Sequence, residues 1–352
     1  MRAIRRFIAV ILVSALLFMV GCSSVDNPGN ANNSNQSNKI RIGVCFDSFV
    51  IERWQRDRDV FVSMAKDLGA EVNVQNANGD LATQKKQIDY FIEEQMDAIV
   101  IIAIDGYDLA DSVEKAKDAG IIVVAYDRLI CDANVDLYIS FDNVRVGQLM
   151  GQALVDAGVT DSNVLMLGGS DLDNNVTLVE SGFRGVMELN NNTIVDSIHA
   201  TNWKAEIASD YVRDNEEIVM NCSAIMCGND NLASQVVPAL SEMRMAGTTL
   251  VVGQDADLEA CQRIVEGTQL MTVYKPVEHL AKRAAELTIM LIKERDISGE
   301  EGYQIINDGT FDIPYIALEP VMVTKDNMDE VIINSGFHLR EDVYLNIPDK
   351  DE

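Results

Sequence analysis

Along this 352-residue chain, one apolar run after another ends in groups suited to gripping a neutral, hydroxyl-rich molecule. Arg53 and Trp54 follow the run 40–46, and Asp127 and Arg128 follow 121–126. Asp173, Asn174 and Asn175 follow 164–167, while Asn202 and Trp203 follow Ile198. Asn229 and Asp230 come after 224–227, Gln254 and Asp255 after 251–253, and Lys275 after 272–274. A sugar ring offers apolar C–H faces to an indole and a rim of hydroxyls to planar polar groups. Two tryptophans placed among Asp, Asn and Arg forks match such a ligand. Any single Asn or Asp after a strand is more often a helix N-cap, and a Trp at a helix start more often packs a core. The recurrence of the pattern is what points to a binding site.

The elements that must position these residues alternate regularly. Runs at 40–46, 71–75, 98–102 and 121–125 are continuously apolar or β-rich, and helix-length segments separate them. The rhythm repeats at 164–167, 193–198, 224–226, 249–253 and 269–273. Continuous rather than alternating hydrophobicity marks strands covered on both faces, as in a parallel sheet. Gly69 and Gly120 stop helices where the chain turns back toward a strand. The pattern predicts doubly wound α/β architecture with enough strands for two sheets. In such sheets ligands sit beyond the carboxyl ends of the strands, where the polar residues above fall.

The N-terminal segment carries an address. Arg2, Arg5 and Arg6 precede an apolar run at 7–20, then Gly21 and Cys22. The run is short for a membrane span and polar chain follows it, so it reads as an export signal. A cysteine directly after the small residue is the bacterial lipoprotein pattern, with Cys22 as the acylated thiol. Met19, where leucine is usual, departs from that pattern. Segment 23–38 is almost entirely Ser, Asn, Gly, Asp and Gln, a composition that behaves as a flexible tether.

Composition excludes several partners. The 331 residues beyond the signal are long for one core and suit two domains. The formal charge of −28 becomes −31 without the three signal arginines, since 25 Lys and Arg then face 56 Asp and Glu. That balance argues against nucleic acid and against an electrostatic grip on anionic lipid, leaving Cys22 as the membrane attachment. Beyond Cys22 the cysteines number five, and most sit in or beside apolar runs, so no disulfide framework is expected. Cys222 and Cys227 have four residues between them and no nearby His, which argues against a metal site or a bridge.

Catalytic and cofactor patterns fail on inspection. The three His residues stand beside no nucleophile-elbow pattern. Asp171, Asp173 and Asn175 begin like a calcium loop, but Val176 and Gly182 stand where Gly and Glu are required. Gly168-Gly169 lacks the Lys-Ser/Thr of a phosphate loop. A basic helix-turn-helix, which sugar-responsive repressors place ahead of this kind of core, is replaced here by signal and tether. The expectation is a binding protein with no enzymatic activity, cofactor or metal.

Specific segments carry a resemblance. They are Ile51-Glu52-Arg53-Trp54-Gln55-Arg56-Asp57-Arg58-Asp59, Gln75-Asn76-Ala77-Asn78-Gly79, Ala125-Tyr126-Asp127-Arg128 and Tyr138-Ile139-Ser140-Phe141-Asp142-Asn143. Gly253-Gln254-Asp255-Ala256-Asp257, Met271-Thr272-Val273-Tyr274-Lys275-Pro276 and Gly336-Phe337-His338 complete the set. From about residue 39 to 337 the chain resembles the D-xylose-binding proteins of bacterial ABC importers, in the pentose/hexose group of periplasmic binding proteins. The resemblance implies two similar α/β domains joined by three hinge crossings, 39–141 with 276–312 and 142–275 with 313–352, behind a signal at 1–21 and a tether at 22–38. It places ligand contacts on Arg53, Trp54, Asp127, Arg128, Asn174, Trp203, Asn229, Asp255 and Lys275. It implies capture of D-xylose or a related monosaccharide and delivery to an ABC permease and ATPase. The alternative is presentation of the closed form to a membrane histidine kinase. The acidic tail and Asn-rich tether depart from soluble periplasmic relatives but fit a lipid-anchored version.

Overall fold

The structure, a computed structural model, describes residues 39–50 and 53–347. The signal, Cys22 and the tether lie outside the described residues. The strands are β1 (Arg41–Phe46), β2 (Glu71–Asn76), β3 (Ala98–Ile101), β4 (Ile122–Tyr126), β5 (Leu137–Phe141), β6 (Asn163–Gly168) and β7 (Thr193–His199). They continue as β8 (Ala224–Cys227), β9 (Leu250–Gln254), β10 (Met271–Tyr274), β11 (Tyr303–Asn307), β12 (Asp312–Leu318) and β13 (Val321–Thr324). One sheet has the order β11-β12-β5-β4-β3-β1-β2 and the other β13-β10-β9-β8-β6-β7. All pairings are parallel except β11 with β12 and β10 with β13.

Both sheets grow from an inner strand in the same way. The chain leaves β1 for β2 on one side and returns to β3 on the other, and it repeats this at β6 with β7 and β8. Where the winding direction switches, the loops at the carboxyl ends splay apart and leave a crevice. Val44 of β1 sits in register with Val74 and Val100, and Leu165 of β6 with Ile225. The central strands β3 and β8 are buried along their whole length, which is why their sequences are unbroken apolar runs. Doubly wound α/β architecture in two sheets is therefore what the chain adopts.

The edge strands carry a weaker hydrophobic signal. In β11 every residue is exposed or half-buried, so no continuous apolar run announces it. Strand β12 pairs with β5 through Tyr315↔Tyr138 and Leu318↔Phe141. That places 313–318 with the first sheet, correcting the expected boundary at 312/313. The chain passes between sheets after Phe141, again after Tyr274, and a third time between Leu318 and Val321. After the second passage, helix Val277–Ile292 packs back on helix Arg53–Asp67.

Helix Asn143–Asp156 crosses helix Asn174–Leu189 with their backbones in contact. A Cβ on Gly147 would lie 1.8 Å from the Val179 carbonyl oxygen, and one on Gly182 would lie 2.0 Å from that of Val144. This approach brings Asn143 to Asn175, whose Oδ1 accepts from Asn143 Nδ2 at 2.9 Å. Gly182→Ala is expected to lower stability by about 1–3 kcal/mol through overpacking, despite the gain in helix propensity. Urea unfolding checks this, and a midpoint that stays or rises contradicts the close crossing.

Candidate functional site

The carboxyl ends of the two sheets face one another across a narrow cavity. Arg53, Trp54, Asp127 and Arg128 line it from the first sheet's side. Trp203, Asn229 and Asp255 line it from the second, and Lys275 stands at the end of β10.

Asn174 is the exception. Asp173 caps its helix by accepting from the Asn175 amide at 3.0 Å, and the first turn then carries Asn175 to the cavity. Asn175 Nδ2 donates to the Asp127 carbonyl oxygen at 2.9 Å. Asn174 instead lines a separate surface groove with Tyr138, Asp142 and Tyr315. The residue of this turn that lines the cavity is therefore Asn175 rather than the expected Asn174. Asn143, Glu180 and Gln254 also line the cavity without having been singled out as contacts. Val176, Val179 and Glu180 share the helical spacing that would have revealed the inward face.

Local geometry fixes each group. Asp127 (φ 63°), Trp203 (φ 58°) and Asp255 (φ 100°) are all non-glycine residues in the left-handed region. Such backbone persists only where surrounding contacts hold it, and it clusters at functional sites. At Asp127 the holding contacts are hydrogen bonds to its carbonyl from Ser140 Oγ at 2.6 Å, Asn175 Nδ2 at 2.9 Å and Tyr138 Oη at 3.2 Å. Gly169 leaves room for the Trp203 ring, since a Cβ there would come within 2.2 Å of it. Asn229 serves two purposes: Oδ1 caps helix Asp230–Glu242 by accepting from the Leu232 amide at 2.9 Å, while the residue also lines the cavity.

Charge in the site is matched internally. Arg53 is 5% exposed and lies 2.8 Å from Asp127, 3.3 Å from Asp57 and 3.9 Å from Asp255. Burial works against its charge, but Asp127, Asp57 and Asp255 together more than restore it. Burial also pushes the Asp127 carboxyl up, yet Arg53, Lys275 and Arg128 outweigh that and hold it below the usual carboxylate range. Lys275 Nζ is 2.7 Å from Asp255. Arg128 lies 2.8 Å from Asp47 on its own side and 2.8 Å from Asp173 across the cleft. Burial pushes Asp47, Asp57 and Asp173 upward, and the neighbouring arginines offset part of this.

Three cations, Arg53, Arg128 and Lys275, line the site against four carboxylates, Asp127, Asp173, Glu180 and Asp255, so it offers no surplus positive charge to an anionic ligand. It offers instead carboxylate lone pairs, guanidinium N–H groups and two rings. The indole N–H groups of Trp54 and Trp203 are buried without an acceptor in the protein. These are donors suited to hydroxyl oxygens. Among the described residues no cluster of side chains could hold a metal ion, and Cys222 and Cys227 are buried without a disulfide.

Two facing α/β halves with a polar-aromatic cavity at their crossings define a binding protein of the two-lobed receptor class. The chain belongs to the periplasmic binding protein family, whose domain model, described as "Periplasmic binding protein domain", matches residues 42–296. It is 39% identical over 339 residues to the D-xylose-binding periplasmic protein of Haemophilus influenzae, covering 94% of this chain and 98% of that protein. Its identity to the D-xylose-binding periplasmic protein of Escherichia coli K12 is 39% over 313 residues, covering 87% and 93% of the two chains. Among solved structures it is similar to an ABC transporter solute binding protein from Clostridium phytofermentans with bound β-D-glucose. There the TM-score is 0.77 at 26% identity, covering 86% of this chain and 99% of that one. These relatives are binding proteins, not enzymes.

Proposed function

We propose that this protein is a lipid-anchored, extracytoplasmic receptor that captures D-xylose or a closely related monosaccharide between its two halves. It then delivers the sugar to the permease and ATPase of an ABC importer. The observation that carries the reading is the cavity itself: two tryptophans and a set of buried ion pairs, contributed from both sheets. The two D-xylose-binding relatives support the choice of sugar. Contacts are assigned to Arg53, Trp54, Asp127, Arg128, Asn175, Trp203, Asn229, Asp255 and Lys275. The two sheets with their helices act as domains that close on the ligand, since a sugar touching both halves binds the closed form better and shifts the balance toward it.

Calorimetry of the purified protein with D-xylose, D-ribose and D-glucose tests the substrate. Micromolar affinity for xylose, about −8 kcal/mol, is expected to exceed that for the other two. No heat with xylose beside a clear isotherm for another sugar overturns the assignment.

The anchor is tested separately. Cys22→Ser is expected to release the protein from membranes, or leave it unprocessed, with xylose affinity unchanged. The tether separates acyl group and folded body, so the two are energetically independent. A cleaved variant that still fractionates with membranes contradicts the lipoprotein reading.

A further inference from the structure

Asp230 follows Asn229, is fully buried, and is not among the residues lining the cavity. Its carboxylate gathers three donors. Oδ1 accepts from Gln269 Nε2 at 2.8 Å, while Oδ2 accepts from Thr272 Oγ1 at 2.6 Å and from the Asp257 amide at 3.2 Å. Thr272 Oγ1 in turn accepts from the Ala256 amide at 3.1 Å. The amides on either side of this network belong to the turn in which Asp255 (φ 100°) and Ala256 (φ 54°) are both left-handed. Non-glycine residues rarely adopt that backbone, and two in succession require an external hold. Strand β9 accommodates the arrangement with Gly253, where a Cβ would come within 2.2 Å of Asp230 Oδ1.

We propose that Asp230 is a positioning residue: by clamping Thr272 and the Asp257 amide it fixes the left-handed turn that presents Asp255, and so sets sugar affinity without touching sugar. The inference rests on the reading of Asp255 as a sugar contact. A carboxylate is required because both oxygens must accept; an amide would turn one acceptor into a donor facing donors.

The clamp also has a titration. Burial pushes the Asp230 carboxyl up to about 7, against the opposing pull of Thr272, Arg263 and Gln269, with Asp255 adding to the rise. The groups facing it are Asp255 and Asp257 on the turn, Arg263 from helix Leu258–Glu266, whose Nη2 donates to the Asp230 carbonyl at 3.3 Å, and the Cys227 thiol from β8. Protonation places a hydrogen on an oxygen that must accept, which loosens the turn.

The test is calorimetric xylose affinity for wild type, Asp230→Asn, Thr272→Val and Asp255→Asn, from about one pH unit above to one below that value. Wild-type affinity is expected to weaken as pH falls. Asp230→Asn is expected to keep a cooperative thermal melt, lose about tenfold in affinity, as for a lost hydrogen bond to a charged group, and show a flat pH profile. Thr272→Val, which removes one strut of the clamp, is expected to lose affinity in the same direction. A pH profile retained in Asp230→Asn would assign it to another group and would overturn the proposal. So would wild-type affinity in both Asp230→Asn and Thr272→Val. If Asp255→Asn itself binds xylose like wild type, the site reading fails and the positioning role falls with it. If only Asp255→Asn loses affinity, the positioning role alone is overturned.

Discussion

Arg53→Met is expected to destabilise the protein by about 3–5 kcal/mol and to abolish measurable sugar binding, the combined result of stranding buried carboxylates. Arg53 lies 2.8 Å from Asp127, 3.3 Å from Asp57 and 3.9 Å from Asp255, and both Asp57 and Asp127 are deeply buried. Methionine fills a similar volume, so the loss reports charge rather than packing. The pH dependence identifies the cause. In the wild type Asp127 is held below the usual carboxylate range, so its contribution is present above the unfolded pKa and lost as pH falls through the lower folded value. Without the guanidinium the folded pKa of Asp127 rises instead. Stability then falls as pH rises through that raised value, and the deficit of the variant shrinks as pH is lowered toward about 4. A deficit independent of pH, in urea titrations across that range, contradicts the electrostatic account.

Asp255→Ala is expected to weaken xylose binding at least tenfold and to remove the sugar-dependent approach of the two halves. A carboxylate accepting from sugar hydroxyls contributes about 1.5–3 kcal/mol for each charged hydrogen bond. Asp255 also joins the halves directly through Arg53 at 3.9 Å, and on its own side pairs with Lys275 at 2.7 Å. Asp255→Asn serves as the milder companion, since alanine leaves the Lys275 ammonium buried beside no partner of its own at that point. Small-angle scattering is expected to show wild type becoming more compact with saturating xylose and Asp255→Ala unchanged. Unaltered affinity in the variant counts against the site.

Much of the fold was legible because buried parallel strands announce themselves. Runs such as 98–102 and 224–226 are apolar throughout, and they coincide with β3 and β8, buried on both faces. Strands β11, β12 and β13 were not, because edge and hairpin strands need only patchy hydrophobicity, and 313–318 was therefore placed in the wrong half. In the site, Arg53-Trp54, Asp127-Arg128 and Asp255…Lys275 follow strand ends directly, where the chain has little freedom to turn them away. Asn174 and Asn175 differ because a helix begins there. Which of two adjacent Asn residues faces inward depends on how the Asp173 cap starts the turn, and composition carries no trace of that. Glu180 was hidden deeper in the same helix, and Asp230 behind a residue that looked like an ordinary cap.

Trp54 and Trp203 are the two tryptophans of the chain, and they line the cavity from opposite halves. Tryptophan emission during titration with D-xylose is therefore the most direct reporter of whether sugar enters between the halves. A saturable change in intensity or wavelength, with its midpoint at the micromolar calorimetric affinity, is the expected result. Emission that stays constant through saturating xylose would contradict it.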